Sequence, residues 1–241
     1  MKYYRLMSGL PALPPTPERP PLPLAELGAL LAVELTEQDA RLAEALLLRL
    51  DVANAQALAE NRRELFDDRG TRRLEQLSTR AAADLPDFLE DFLRRQEEGA
   101  LGGPLFFVPL WQGYYRYLLC VAEEGRSRFL REYVAFELPL LNGLARQRAE
   151  RLGADVTGML IEEPSGPSRH DELLARLAEE ENPQARERIL DAARLQAIEA
   201  AAGTDPFSID AVLAYLAAIL VFERWDLPRR ADARELLEVF A

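Results

Sequence analysis

The residues able to do chemistry are few. His170 is the only histidine and Cys120 the only cysteine in 241 residues. One of each cannot build a zinc site of the usual nitrogen and sulfur kind. His170 sits in a Ser/Gly/Pro-rich stretch with Ser165 and Ser168, and the pattern predicts an exposed loop histidine. No nucleophile elbow of the hydrolase type supports those serines. The glycines from Gly99 to Gly103 match neither a phosphate-binding loop nor a dinucleotide fingerprint. Acidic pairs such as Asp67-Asp68 and Glu162-Glu163 read as solvated surface. No cofactor and no metal is expected, and the chain is read as non-catalytic. A carboxylate metal site is the minor alternative.

Two helices hold polar residues in more telling places. In one, Phe129, Tyr133, Phe136, Leu140 and Leu144 recur at helical spacing and form an apolar stripe. At about 100° per residue, Glu137 borders that stripe, while Asn142 and Arg146 fall on the opposite side. Pro139 interrupts this helix and is expected to kink it. In the other, Ile209, Leu213, Leu216 and Leu220 form a stripe that Glu223 continues. A carboxylate there is costly to bury without a partner, and arginine is the natural one. Two readings stand open: a paired buried carboxylate, or a helix end emerging into water. Either makes the role structural or a partner contact.

The elements that position these residues follow from pattern. Residues 11–23 contain seven prolines, which excludes helix and central strand and predicts an extended arm. Ala, Leu, Glu and Arg dominate after Leu24, and these are strong helix formers. Helices are predicted near 25–34, 37–50, 53–65, 71–82, 85–97, 108–122, 126–152, 168–181, 183–201, 208–225 and 229–240. Thr36 with Asp39 resembles a helix cap with an acidic first turn. The fold class is all-α. Its domains are an N-terminal segment and arm at 1–24 and a helical domain at 25–241, with a sub-bundle boundary near 99–104 where the glycines and Pro104 cluster.

The net charge is −12 at neutral pH, from 29 basic and 41 acidic residues. Nucleic acid is a poor partner for so acidic a chain. The longest apolar run, Ala211 to Phe222, spans twelve residues, short of the roughly 20 a membrane helix needs. Direct membrane insertion is not expected, and neither is a secretory signal. A soluble, cytoplasmic chain is.

Three segments together resemble a known family. They are Tyr3-Tyr4-Arg5-Leu6 to Leu10-Pro11-Ala12-Leu13; Phe129-Leu-Arg-Glu-Tyr to Glu137, Asn142 and Arg148-Ala-Glu-Arg-Leu-Gly153; and Asp205-Pro-Phe-Ser-Ile-Asp-Ala-Val-Leu-Ala-Tyr215 with Glu223-Arg224-Trp225. The chain resembles an uncharacterised bacterial family encoded among V-type ATP synthase genes. That family is distantly similar to the funnel-like helical adaptor of V-type ATPases, the C-type subunit of bacteria and the d-type subunit of eukaryotes. The resemblance implies repeated helical bundles, shorter than that adaptor, and a place between the central rotor stalk and the membrane rotor ring. The adaptor's acidic, asparagine and arginine motif is similar to Glu137, Asn142 and Arg146 or Arg148. Its tyrosine and acidic residue on a later helix are similar to Tyr215 and Glu223, with Arg224 beside them. The implied partners are the stalk subunits and the rotor ring, and the implied location is cytoplasmic, peripheral to the membrane through the ATPase complex. A transient assembly factor or regulator of that complex is the alternative.

Overall fold

The computed structural model describes residues 2–16, 19–79, 85–103, 105–162 and 170–239, with side chains described as far as Trp225. Ten α-helices account for the regular structure among these residues, together with a 3₁₀ turn at Arg63–Leu65. They are α1 (Tyr4–Gly9), α2 (Leu24–Glu34), α3 (Glu37–Ala59), α4 (Leu74–Thr79), α5 (Asp87–Glu97), α6 (Phe107–Glu124), α7 (Arg128–Leu152), α8 (Asp171–Glu179), α9 (Pro183–Ala201) and α10 (Ile209–Val239). The chain is all-α, as its composition dictates.

Several boundaries differ from the sequence reading. The segments expected at 37–50 and 53–65 form one helix, α3. No glycine or proline separates them. Asp51 and Asn54, residues that favour turns when their side chains bond locally, spend those side chains elsewhere. The two C-terminal segments likewise join into α10, and α7 continues through Pro139. A proline deletes one backbone donor and bends a helix without having to end it. The expected turn around Pro164, Gly166 and Pro167, with Glu163, Ser165 and Ser168, lies outside the described residues. So do Pro17, Pro104, residues 80–82 of one expected helix and the start of the one at 168.

The chain divides into two compact units. The first comprises Met1–Ala40, Ser127–Tyr133 and Ala175–Ala241. Its frame is α10 packed on α2 and α9. Val212, Leu213, Leu216, Ile219 and Phe222 of α10, Leu27 and Leu31 of α2 and Ile198 of α9 are all buried. From Ala211 to Glu223 nearly every α10 residue is buried, which fits its continuous apolar run better than a single stripe. Tyr3 ties the N-terminus in: its amide donates to Phe207 O at 3.1 Å, and the Tyr4 and Phe207 rings lie 4.9 Å apart. Ser127 starts α7, its hydroxyl accepting from Leu130 N at 3.2 Å and donating to Asp210 at 2.7 Å.

The second unit comprises Arg41–Arg126 and Val134–Leu174. Here α5 packs against α6. Leu89, Phe92 and Leu93 of α5, Leu110, Tyr114, Tyr115 and Leu118 of α6 and Leu46, Val52 and Ala55 of α3 form its core. Gly113 permits the close α5–α6 approach, since a Cβ there would lie 2.7 Å from Phe88 Cβ. Full burial of a leucine or phenylalanine side chain stabilises by about 1.5–3 kcal/mol, so these rows supply the main cohesion of each unit.

Candidate functional site: buried polar clamps

In the first unit, three of the singled-out residues lie on α10. Glu223 is 1% exposed, which settles the choice left open by the sequence in favour of burial. Its carboxylate accepts from Leu24 N at 2.9 Å. Leu24 is the first residue of α2, whose cap position is Pro23 with no side-chain cap. Glu223 therefore supplies, from a distant part of the chain, the acceptor that a capping residue normally provides locally. Its charge also faces the positive end of the helix dipole.

Tyr215 is buried, and its hydroxyl donates to Pro11 O at 3.0 Å. Burial pushes its pKa up to about 12, so the phenol keeps its proton and remains a donor. Tyr215 and Glu223 thus hold the two ends of the proline-rich segment, at Pro11 and Leu24. The backbone at its margins is extended, with Leu10 at φ −77°, ψ 140° and Pro23 at φ −59°, ψ 143°.

Arg224 turns to another partner set. Its guanidinium donates to Asp191 at 2.9 Å and to Glu187 at 2.6 Å. Asp191, on α9, is buried and is a node that the sequence reading missed. Its Oδ1 also accepts from Arg194 at 3.0 Å, and its Oδ2 accepts from the Trp225 indole at 3.0 Å. Arg188 lies over the Trp225 ring, 5.5 Å from its centroid, a cation–π contact. A carboxylate among two guanidiniums and an indole N–H is well compensated for its burial. It locks α9 to α10.

In the second unit, Glu137 and Asn142 of α7 are 1% and 2% exposed. Asn142 does not face away from the packed side, as the stripe alone suggested. Its amide donates to Ile161 O at 2.7 Å and accepts from Ile161 N at 2.9 Å. The backbone around Ile161 thus covers what the helical projection left open. Arg146 and Arg148 are exposed. Glu137, Asn142, Arg146 and Arg148 belong to the second unit, and Tyr215, Glu223 and Arg224 to the first.

His170 is buried rather than an exposed loop residue. Its Nε2 lies 2.9 Å from Phe136 O, and its ring meets the Phe136 ring edge-on at 4.7 Å. Its carbonyl accepts from Leu174 N at 2.8 Å, opening α8. An aromatic ring with one polar end suits this half-apolar seat.

Two further clusters on α3 escaped the sequence reading. Asp51 is fully buried. It accepts from the Thr71 hydroxyl and, at 2.9 Å, from Arg72 N. Asn54, also fully buried, accepts from Asp67 N at 2.7 Å and donates to Asp67 O at 2.9 Å. Together they grip the loop that follows α3. Asp67 is consequently not the solvated acid its pairing with Asp68 suggested: it is mostly buried and bonded to Arg69. At the start of α3, Asp39 accepts from Tyr3, Lys2 and, at 3.0 Å, Thr36. The available signal was a polar residue at a helical position among apolar ones. Its partners, distant in sequence or set in a loop, gave none. Among the described residues, no group of three or more His, Cys, Asp or Glu is placed to hold a metal ion. None of the described helices is long and apolar enough to cross a membrane.

Fold and polar groups together define an all-helical protein whose buried side chains pin segments of its own backbone. Residues 1–173 match the model of a family described as "Protein of unknown function (DUF2764)", and the chain belongs to this family. The match covers α1 to α7 and the first residues of α8, while the segment from Asp205 to Trp225 lies beyond it. No curated protein and no solved structure matches the chain.

Proposed function

We propose that the protein is a non-catalytic subunit of a bacterial V-type ATP synthase or ATPase, an adaptor between the central rotor stalk and the membrane rotor ring. In this reading its bundles are a shortened relative of the C-type adaptor, residues 11–23 are an extended arm, and the chain is peripheral to the membrane through the complex. One observation carries the reading. The polar residues that resemble the adaptor's motifs are spent on stiffening: Asn142 on Ile161, Tyr215 on Pro11 and Glu223 on Leu24. An element that transmits torque needs segments held at fixed positions rather than a mobile pocket. Arg146 and Arg148, which are exposed, are the partner-facing members of the motif.

A permanent member of the complex stays stoichiometric with the stalk through salt washing, and Arg146→Glu with Arg148→Glu releases it while leaving it folded. An assembly factor is instead present on partial complexes and lost from the mature enzyme. Recovery of the chain on neither the assembled complex nor its partial complexes contradicts both.

A further inference from the structure

On the surface of the first unit, α2 departs from the usual pattern of an outer helix. Its inward side is Leu24, Leu27 and Leu31, all buried, and it packs on α10. At about 100° per residue, the outward arc runs from Ala32 and Ala25 through Ala29, Val33 and Glu26 to Leu30, about 160° in all. Every one of these residues is exposed, Leu30 at 43% and Val33 at 81%. A surface helix ordinarily turns polar residues outward. Here the arc is apolar except for Glu26, and a contiguous apolar strip marks an interaction surface where scattered single residues do not. We infer that this face of α2 receives one amphipathic helix of a partner protein, with an apolar stripe against Leu30 and Val33 and a lysine or arginine opposite Glu26. Such docking requires no place in a rotary complex.

Charge selects the partner. α2 carries two acids, Glu26 and Glu34, and no basic residue. Glu34 is paired with Arg5 at 3.4 Å, whereas Glu26 makes no ion pair among the described residues. An unpaired carboxylate beside an apolar strip favours a cation on the rim of the incoming helix and repels an acid. A second copy of the chain would bring the same acid and a further net charge of −12. The helix is also only about 16 Å long, too short to supply the roughly 800 Å² per partner of a standard interface. That area suits a single docked helix. Helices that lie on membranes carry lysine and arginine on their polar side, and α2 has neither.

The relief of the face agrees. Ala25, Ala29 and Ala32 lie low, and Leu30 and Val33 stand beside them as a ridge, the form into which a second helix packs. Gly28 borders the alanines. Glycine weakens a helix interior relative to alanine, yet a Cβ at Gly28 would meet nothing within 4 Å. No contact inside the chain calls for glycine there, and close approach of another backbone does. The face is held in place beforehand, since Glu223 accepts from Leu24 N at the start of α2, and a fixed face loses little entropy on binding.

The test titrates the full chain into a fluorescein-labelled synthetic helix with a leucine and alanine stripe flanked by lysines, read by anisotropy. The same peptide with glutamates for lysines, and one of scrambled order, are the controls. Saturable micromolar binding of the lysine peptide is expected, with both controls about tenfold weaker or more. Val33→Gln and Leu30→Gln are each expected to weaken it about tenfold, and Glu26→Lys to shift the preference toward the glutamate peptide. All three positions are exposed, so these variants keep the fold, which circular dichroism checks. Absence of saturable binding overturns the proposal. So does equal binding of the lysine and glutamate peptides, or of the lysine peptide by wild type and Val33→Gln. Sedimentation of the chain alone and with vesicles of phosphatidylcholine and phosphatidylglycerol is expected to show a monomer that leaves the vesicles unbound. A dimer, or vesicle binding, that Val33→Gln abolishes overturns the proposal as well.

Discussion

Asp39 and Asp51 occupy the same helix, yet the two units treat them in opposite ways. Both are buried, and burial alone pushes a carboxyl up because it penalises the charged form. At Asp39 the hydrogen bonds from Lys2, Tyr3 and Thr36 and the charge of Lys2 outweigh that burial, and the pKa falls below its ordinary 3.8. At Asp51 burial prevails over Thr71, the Arg72 amide and the more distant Arg72 charge, and the pKa rises. Asp51 lies deeper, and its donors, the Thr71 hydroxyl and the Arg72 amide, are neutral, so burial and donor charge together set the two acids apart. Asp191 is likewise bound directly by cations, Arg194 and Arg224. At Asp39 and Asp191 the first unit locks an acid with cations, whereas Asp51 of the second unit serves as a bracket for a loop.

Gly70 is the position where the bracket is most sensitive. A Cβ there would lie 2.6 Å from Asp51 Oδ1 and 2.9 Å from Asn54 Nδ2. Both are short, fully buried side chains already held by other bonds, so Gly70→Ala is expected to cost about 3 kcal/mol by overpacking and broken bonds. Chemical denaturation measures it, and a cost under about 1 kcal/mol shows that the bracket gives way easily. Next is Asn54→Ala, which removes both bonds to the Asp67 backbone, with an expected cost of about 2 kcal/mol in the same assay.

The two acids also differ in how they respond to pH. Asp51 binds its proton more tightly folded than unfolded. Its contribution is fully present below pH 3.8 and is lost as pH rises through the raised folded value. Asp39 is the reverse: its contribution is present above 3.8 and is lost as pH falls through the lowered folded value. Asp51→Asn is expected to flatten the decline above pH 4, and Asp39→Asn the decline below it. Each changes the slope by a fraction of about 1.4 kcal/mol per pH unit. Thermal unfolding from pH 3 to 7 reads both, and equal slopes in the two variants would erase the distinction between cation-locked and bracketing acids. Tyr215→Phe is the mildest change, about 1 kcal/mol for the lost bond to Pro11. Protease nicking of the 11–23 segment is expected to rise with it.

How far the sequence reaches is visible in these residues. The helices were legible because their composition and breakers are local, and Asn182 and Pro183 open α9 through a cap accepting from Gln184 and Ala185. Glu223 was legible as an anomaly, since a carboxylate continued an apolar stripe. Its partner was not, because Leu24 offers a backbone amide, which any residue carries. Asn142 misled because a helical projection assumes one covered side, whereas the Ile161 backbone covers a second. The gap expected between 50 and 53 falls at Asp51, and Asn54 passed as an ordinary residue of the segment at 53–65, because their partners arrive from the chain that follows the helix. His170 looked exposed because loop composition says nothing of a ring seated against Phe136.

The adaptor reading stands or falls on cryo-electron microscopy of the native V-type ATP synthase from cells carrying this chain. It predicts density for the ten helices between the stalk and the rotor ring, with Arg146 and Arg148 of α7 toward a neighbouring protein of the complex. An intact complex with that position filled by another chain, and none of this one bound, contradicts it.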